Sequence, residues 1–501
     1  MADTKREIER KYESDDSGLP DLTGVAGVEA VVDKGVAHLD ATYYDTADER
    51  LAAASITLRR RTGGSDAGWH LKFPVGPGVR DEIQAPLSDT LPRSLAGLVR
   101  ARVRDAELLP AVRLRSERDL RDLVDAEGRL LAEVSVDAVR AERLTGDGGS
   151  AQWTELEVEL ADGGDPAFLD KVDKRLRKAG VRPSKSASKL ARALAETSPK
   201  KKRTKQQQPG EPVTAGDHVL AYVREQRDAI VALDPAVRQD AYDSVHRMRV
   251  ATRRMRSAFR SYAKVLDRTV TDPLGEELKW LAGELGVDRD AEVLTERLAE
   301  ALDELPRTLL SGPIRTRLRT WMNARRGGSR RRLTGVLDSK RYLVLLDGLD
   351  ALVADPPLLE AAAGTPEKVI TKAVRKDFGK LSDLVDQALG LERGHDRDLA
   401  LHEARKKAKR TRYSAEAAIA ALGSPATALA KSMKSLQSLL GDHQDSVMTR
   451  QTLRELSAVA HAAGESSFTY GVLYGREEGR AAADEAELPG AWQEVRDKMQ
   501  V

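Results

Sequence analysis

The 501-residue chain contains no cysteine. Disulfides, thiolate metal sites and cysteine nucleophiles are thereby excluded, in keeping with a reducing compartment. Aromatic residues make up only 4% of the chain, and no aromatic interleaving suited to stacking nucleic-acid bases runs along its basic segments. Long apolar runs are missing as well. The longest, Tyr342 to Ala354, is interrupted by Asp347 and Asp350 and is too short to span a bilayer. The opening, Met1 to Lys11, lacks the apolar core of a signal peptide, so a cytoplasmic location is expected. No glycine-rich loop of the kind that cradles nucleotide phosphates is present. Net charge is also nearly absent, because 82 Lys and Arg stand against 80 Asp and Glu for a formal +2. This balance conceals a strong segregation of sign along the chain.

The segregation is clearest in a phrase written twice. His246, Arg249, Arg253, Arg254 and Arg256 are followed by Leu285, Gly286 and Asp290; His402, Arg405, Lys409, Arg410 and Arg412 are followed by Leu440, Gly441 and Asp445. On a helix advancing about 100° per residue, His246, Arg249, Arg253 and Arg256 fall within roughly 80° of one another, as do His402, Arg405, Lys409 and Arg412. Each copy is a basic rail flanked by apolar residues, here Met248, Ala251, Met255 and Phe259. Few acids lie within the rails, so an anionic partner explains them better than helix ion pairs do. In the second copy Gln444 stands where the first has Arg289.

A segment between Glu196 and Val213, rich in Lys, Gln and Pro, has no hydrophobic period and reads as a basic flexible linker over 196–213. Before it, over 1–195, period-two segments dominate: around Ile8, Ile56 to Arg61, Trp69 to Phe73, Arg113 to Arg118, Leu130 to Val139 and Trp153 to Leu160. Helical patterns are expected at Val25 to Lys34, Ser94 to Val99 and Pro166 to Ala179. After it, over 214–500, the pattern is almost wholly helical, and the repeat implies two similar units, expected as four-helix bundles. The fold class is α+β with two domains.

Strand alternation puts Glu7 with Glu9 and Lys11 on one face, and likewise Arg59 with Arg61, His70 with Lys72, Arg80 with Glu82, Arg113 with Arg115, Glu133 with Asp137, and Glu155 with Glu157 and Glu159. Such faces are either the wet side of a sheet or the lumen of a closed barrel. In a lumen, carboxylates require cations, supplied by Arg and Lys and by a divalent metal that a polyphosphate also bridges.

The set Glu7-Ile8-Glu9-Arg10-Lys11, Tyr43-Tyr44-Asp45-Thr46, Leu58-Arg59-Arg60-Arg61, Trp69-His70-Leu71-Lys72, Glu155-Leu156-Glu157-Val158-Glu159 and Ser184-Lys185-Ser186 resembles, in order and spacing, the CYTH superfamily of triphosphate tunnel metalloenzymes. The resemblance implies an eight-stranded antiparallel tunnel with flanking helices. It further implies Glu7, Glu9, Glu155 and Glu157 as ligands of Mg2+ or Mn2+, and Lys11, Arg59, Arg61, Lys72, Arg80, Arg113, Arg115 and Lys185 as the phosphate-binding side. Glu133 and Asp137 join Glu7, Glu9, Lys11, Arg59, Arg61 and Lys72 as expected catalytic residues. Residues of about 214–500 resemble the CHAD domain, which binds polyphosphate; His246, Arg249, Arg253, Arg256, His402, Arg405, Lys409 and Arg412 are its expected polyphosphate contacts.

The expected activity is metal-dependent hydrolysis of inorganic tripolyphosphate or long-chain polyphosphate, with the helical module bringing substrate near or holding the chain at polyphosphate granules. Two alternatives stand beside it. One is a polyphosphate binder without turnover; the other is a CYTH enzyme for an organic triphosphate, as thiamine triphosphatase or adenylate cyclase. Nucleic acid and membrane are not expected partners.

Overall fold

The structure, a computed structural model, describes residues 4–14, 18–146, 148–198, 210–286, 289–326 and 329–499, with the side chains of 289–292, 325, 326 and 329 outside that description. The Lys200 to Arg203 run of the linker and the Asp290 carboxylate lie outside the described residues. The chain divides into two compact units, Met1–Gln206 and Gln207–Val501.

The first unit runs β1 (Thr4–Glu13), β2 (Ala30–Asp45), α1 (Arg50–Ala53), β3 (Thr57–Thr62), β4 (Gly68–Gly76), β5 (Val79–Pro86), α2 (Arg93–Val103), β6 (Leu109–Val124), β7 (Leu130–Arg143), β8 (Ser150–Leu160), α3 (Ala167–Lys178), β9 (Arg182–Pro183) and α4 (Lys189–Thr197). The strands are hydrogen-bonded in the order β5-β4-β3-β2-β6-β7-β8-β1, and β1 also pairs with β5, so eight antiparallel strands close into a ring. The short β9 lies along the end of β1. Closure leaves no sheet edge among these strands. It uses Gly78, where φ is +69° and a Cβ would sit 2.6 Å from the Glu9 carbonyl oxygen that β1 brings against the turn.

The expected helix at Val25 to Lys34 is not formed, and residues 30–34 open the long strand β2. Its partner decides this: β6 pairs with β2 from Ala30 opposite Val124 to Asp45 opposite Leu109, with a bulge at Asp33 to Gly35. The ladder outweighs a local helical pattern.

Period-two alternation sorts the ring's residues. Outward-facing Leu58, Trp69, Leu71 and Ile83 pack against Leu51 of α1 and Leu95, Leu98 and Val99 of α2. On the far side, outward Tyr12, Val134, Leu156 and Val158 pack against Phe168, Leu169, Val172 and Leu176 of α3. Burying an apolar side chain of this size contributes about 1.5–3 kcal/mol. The inward residues are charged along most of the ring. At one end they are apolar: Tyr43, Val112, Leu114, Val139, Ala141 and Trp153 enclose Leu190, Ala193 and Leu194 of α4. Helix α4 therefore stoppers that end of the barrel. Ser188 starts the helix by accepting a hydrogen bond from the Ala191 amide at 3.1 Å.

The second unit is helical: α5 (Ala215–Arg238), α6 (Ser244–Ser261), α7 (Arg268–Glu284), α8 (Arg289–Asp303), α9 (Ile314–Arg326), α10 (Ser329–Asp338), α11 (Lys340–Ala354), α12 (Pro366–Gly390), α13 (His395–Leu422), α14 (Ser424–Ala462) and α15 (Phe468–Met499). The repeated phrase maps α6 and α7 onto α13 and α14. Helices α6 and α13 pack on each other, and Tyr262 after α6 donates to the Ser414 carbonyl in α13 at 2.8 Å. Helices α8 and α9 share an apolar cluster with α14 and α15 through Leu298, Leu302, Ile314, Leu453, Leu456 and Leu473.

Candidate functional site

The ring encloses a cavity of about 380 Å³. Its wall is polarised by strand order. Arg59 and Arg61 of β3, Lys72 of β4, Arg80 of β5 and Arg118 of β6 occupy one arc, with Glu82 of β5 among them; Glu133 and Asp137 of β7, Glu155, Glu157 and Glu159 of β8, and Glu7 and Glu9 of β1 occupy the other, with Lys5 and Lys11 of β1 among them. Among the described residues, eight basic and eight acidic side chains line the cavity, with the Asp137 and Glu155 carboxylates buried behind them. The two sets thus leave two carboxylates in excess, a deficit that one divalent cation matches.

Ion pairs bridge the arcs. Lys72 donates to Glu7 at 2.5 Å and lies 3.5 Å from Glu82 Oε1, the same oxygen that His70 Nδ1 contacts at 2.7 Å. Lys11 donates to Glu9 at 3.0 Å and to Glu157. Arg118 grips Asp137 at 2.7 and 2.9 Å and reaches Glu157 at 3.3 Å. Lys189, the first residue of α4, lies 3.0, 2.7 and 2.6 Å from Asp137, Glu155 and Glu157.

Burial and neighbours set the proton affinities. Burial lifts Glu7 to about 7, with Glu82 adding to the lift and Lys72 opposing it. Burial also acts on Glu157, but Lys11, Lys189 and Arg118 outweigh it and hold that carboxyl well below the usual carboxylate range. Burial, joined by repulsion from Glu159, raises Glu133. Burial pulls Arg61 down to about 9, reinforced by Arg59 and Arg118. A guanidinium stays protonated at neutral pH, so Arg61 remains a buried cation beside two others. Asp66 at the cavity rim pairs with Arg61.

Several expected residues fall elsewhere. Arg113 pairs with Asp40 at 2.6 Å, and Arg115 is exposed; neither lines the cavity. On β6 the inward set is Val112, Leu114, Ser116 and Arg118, opposite in parity to Arg113 and Arg115, and Arg118 is the β6 arginine that enters the lumen. Lys185 is exposed between β9 and α4, and the lysine that enters is Lys189. Arg80 lines the cavity but donates to the Ser55 and Ala187 carbonyls at 3.0 Å each, which fixes the approach to α4. Asp137 is clasped by Arg118 and lies beside Lys189, whereas Glu133 lines the cavity without such a clasp. The carboxylate of Asp45 accepts from the amides of Thr46, Leu51 and Ala52, so this residue organises α1 rather than the lumen.

In the helical unit, the rails converge where α6 meets α13. Lys409 lies among Arg405, Arg253 and Arg249, with Asp445 the opposing charge; burial and these three cations lower it to about 8. Arg249 lies against Gly286, where a Cβ would stand 2.6 Å from its guanidinium, and Arg405 lies against Gly441 in the same way at 3.5 Å. His402 Nδ1 contacts the Gln444 amide oxygen at 2.7 Å. His246 is exposed at the start of its rail. Arg256 lies beside Arg260 and Glu276, whereas Arg412 is tied to Glu416 at 2.8 Å and to Gln437 at 3.2 Å.

A grouping that spacing does not reveal joins three helices: His443 Nε2 of α14 lies 3.3 Å from Asp398 of α13 and 3.4 Å from Glu485 of α15. The second oxygen of each carboxylate faces an arginine, Arg450 at 3.3 Å and Arg397 at 3.1 Å. With its acids already neutralised, this grouping acts as an ion-pair network knitting the helices.

Comparison with known proteins adds the following. The CYTH domain model matches residues 5–194 and the CHAD domain model residues 221–454. Two uncharacterized proteins of Mycobacterium tuberculosis, from two strains, are each 41% identical over 492 residues, covering 94% of this chain and 92% of theirs. PptA from Streptomyces chartreusis is 20% identical over 56% of this chain and 99% of its own, with a TM-score of 0.48. The CHAD domain from the plant Ricinus communis is 22% identical over 57% of this chain and 93% of its own, with a TM-score of 0.43.

Proposed function

From the premise that this chain belongs, with its mycobacterial relatives, to the family that joins a CYTH domain to a CHAD domain, we propose that its barrel is a metal-dependent hydrolase of triphosphate and polyphosphate anhydrides and its helical unit a polyphosphate-binding module. The observation that carries this reading is the polarised lumen, basic over β3, β4 and β6, acidic over β7 and β8, with both signs on β1 and β5, stoppered at one end by α4. With carboxylates in excess, the lumen takes in a polyanion favourably only with accompanying cations.

The donor set fits a hard divalent ion. Asp137, Glu155 and Glu157 offer carboxylate oxygens within 4.8 Å of one another, all from buried or half-buried side chains, and oxygen-only sets of this type suit Mg2+ or Mn2+. Glu7 and Glu9, expected as ligands from the resemblance, extend the same acidic arc. Bound there, the ion would neutralise phosphate charge and polarise the phosphorus it adjoins.

The protein's own groups do the rest. Arg59, Arg61 and Arg118 hold the phosphoryl oxygens and stabilise the charge that spreads over them as the anhydride breaks. Lys72 and Lys11 anchor neighbouring phosphates. Glu133 orients the attacking water, its raised proton affinity suiting it to accept a proton. The lining favours an inorganic substrate over a nucleotide or thiamine triphosphate: Tyr43 is the only aromatic side chain among the described residues that line the cavity, and the rest of the wall is dominated by charge. In the helical unit, the convergence of Arg249, Arg253, Arg405 and Lys409 forms a cationic cradle for a flexible chain bearing about one charge per phosphate.

A phosphate-release panel over tripolyphosphate, long-chain polyphosphate, ATP and thiamine triphosphate with Mg2+ or Mn2+, run on the wild type and on Glu7→Gln, tests the proposal. Release is expected first and fastest from tripolyphosphate and reduced by the substitution. Activity unchanged by Glu7→Gln on every substrate contradicts the role given to the acidic arc.

A further inference from the structure

The Lys189 ammonium lies at the point where the acidic arc is densest. Its nitrogen is 3.0, 2.7 and 2.6 Å from Asp137, Glu155 and Glu157, the three residues whose oxygens lie near enough to one another to share a metal ion. It is buried, and its proton affinity is raised: burial works against the charge, but the three carboxylates outweigh it. Its backbone is fixed, because Leu190, Ala193 and Leu194 of the same helix fill the stoppered end of the barrel and Ser188 caps the first turn. The four-carbon stem alone is free to swing.

Resting on the reading of the lumen as a metal-dependent site, we propose that Lys189 is a tethered stand-in for the tunnel's cation. With no metal bound, its ammonium keeps three buried carboxylates from repelling one another and holds them in the arrangement a divalent ion needs. When the ion arrives, the two compete for the same oxygens. The displaced ammonium is still buried and requires a new counter-charge, and a phosphate oxygen of the substrate supplies it. Metal and polyphosphate therefore bind together more tightly than either binds alone, and metal affinity without substrate is deliberately modest.

The test is Mn2+ binding to the full-length protein without substrate, followed by electron paramagnetic resonance of free Mn2+ and by calorimetry. Lys189→Met is expected to bind Mn2+ at least about tenfold more tightly than the wild type, a gain of roughly 1.4 kcal/mol, and Lys189→Arg to behave like the wild type. Metal-free Lys189→Met is expected to melt below the wild type and to regain more stability from Mn2+. If Lys189→Met does not fold, Lys189→Gln, also uncharged, serves in its place. Wild-type Mn2+ binding that is abolished by Glu157→Gln but not tightened by removing the Lys189 charge overturns this inference alone. Mn2+ binding that is indifferent to Glu157→Gln in every background overturns both the inference and the metal reading of the lumen.

Discussion

Arg118 and Asp137 clasp each other through two parallel hydrogen bonds of 2.7 and 2.9 Å across the register of β6 and β7, and Asp137 has no exposed surface at all. Neutralising Asp137 removes the clasp from Arg118 and one of the three carboxylates from Lys189, leaving both cations in a buried wall to the remaining glutamates. Asp137→Asn is therefore expected to destabilise the barrel by about 3–5 kcal/mol, measured by denaturant unfolding. A loss below about 1 kcal/mol, the range of exposed ion pairs, would mean that the clasp is solvent-screened.

Glu7 supplies a pH dependence with a definite sign. Burial raises its folded value to about 7 from an ordinary 4.5, so the folded state holds the proton more tightly than the unfolded chain does. The stability this contributes is fully present below about 4.5 and is lost as pH rises through about 7. In metal-free protein, Glu7→Gln should match the wild type near pH 5 and gain on it by pH 8. A stability difference that moves the other way would show that the Lys72 contact outweighs burial.

Much of this lumen is legible in the sequence because strand alternation is insensitive to context. Glu7 with Glu9, Arg59 with Arg61, and Glu155 with Glu157 share a face in any strand, and each of these residues is buried or half-buried in the ring. What alternation cannot supply is the parity of a long strand relative to the barrel axis. Arg118 was distinguishable from Arg113 and Arg115 only through its partner, Asp137, across β7. Lys189 depends on where a stopper helix begins, and the Ser188 cap just before it was the available signal. The strand at 30–34 was hidden because its partner lies far along the chain, in β6. The grouping of Asp398, His443 and Glu485 comes from three helices and has no signature in spacing.

In the helical unit, Lys409 is lowered to about 8 by burial and by Arg405, Arg253 and Arg249. A polyanion bound there favours the charged form, so binding takes up protons and weakens as pH rises from about 7 to 9. Lys409→Arg, which stays charged, should flatten that dependence. Lys409→Ala should lower the slope of log affinity against log salt by about 0.7. Calorimetry with long-chain polyphosphate in buffers of differing ionisation heat checks both. Equal pH profiles for the wild type and Lys409→Arg would remove Lys409 from the binding surface.

Gly286 gives a steric test of the same cradle. A side chain there meets the Arg249 guanidinium at 2.6 Å and must push it off its seat. Gly286→Val is expected to weaken polyphosphate binding by about tenfold, the equivalent of one charge-assisted hydrogen bond, while Gly441→Ala, with more room at 3.5 Å, should do less. The reverse ranking would contradict the seating of Arg249.

The most direct trial of the whole account is phosphate release from tripolyphosphate by the full chain, with and without Mg2+, in the wild type and in Arg59→Gln. The account predicts release only when the metal is present, and a fall on the order of a hundredfold when the tunnel arginine is removed. Release that persists in EDTA, or that Arg59→Gln leaves unchanged, would contradict it.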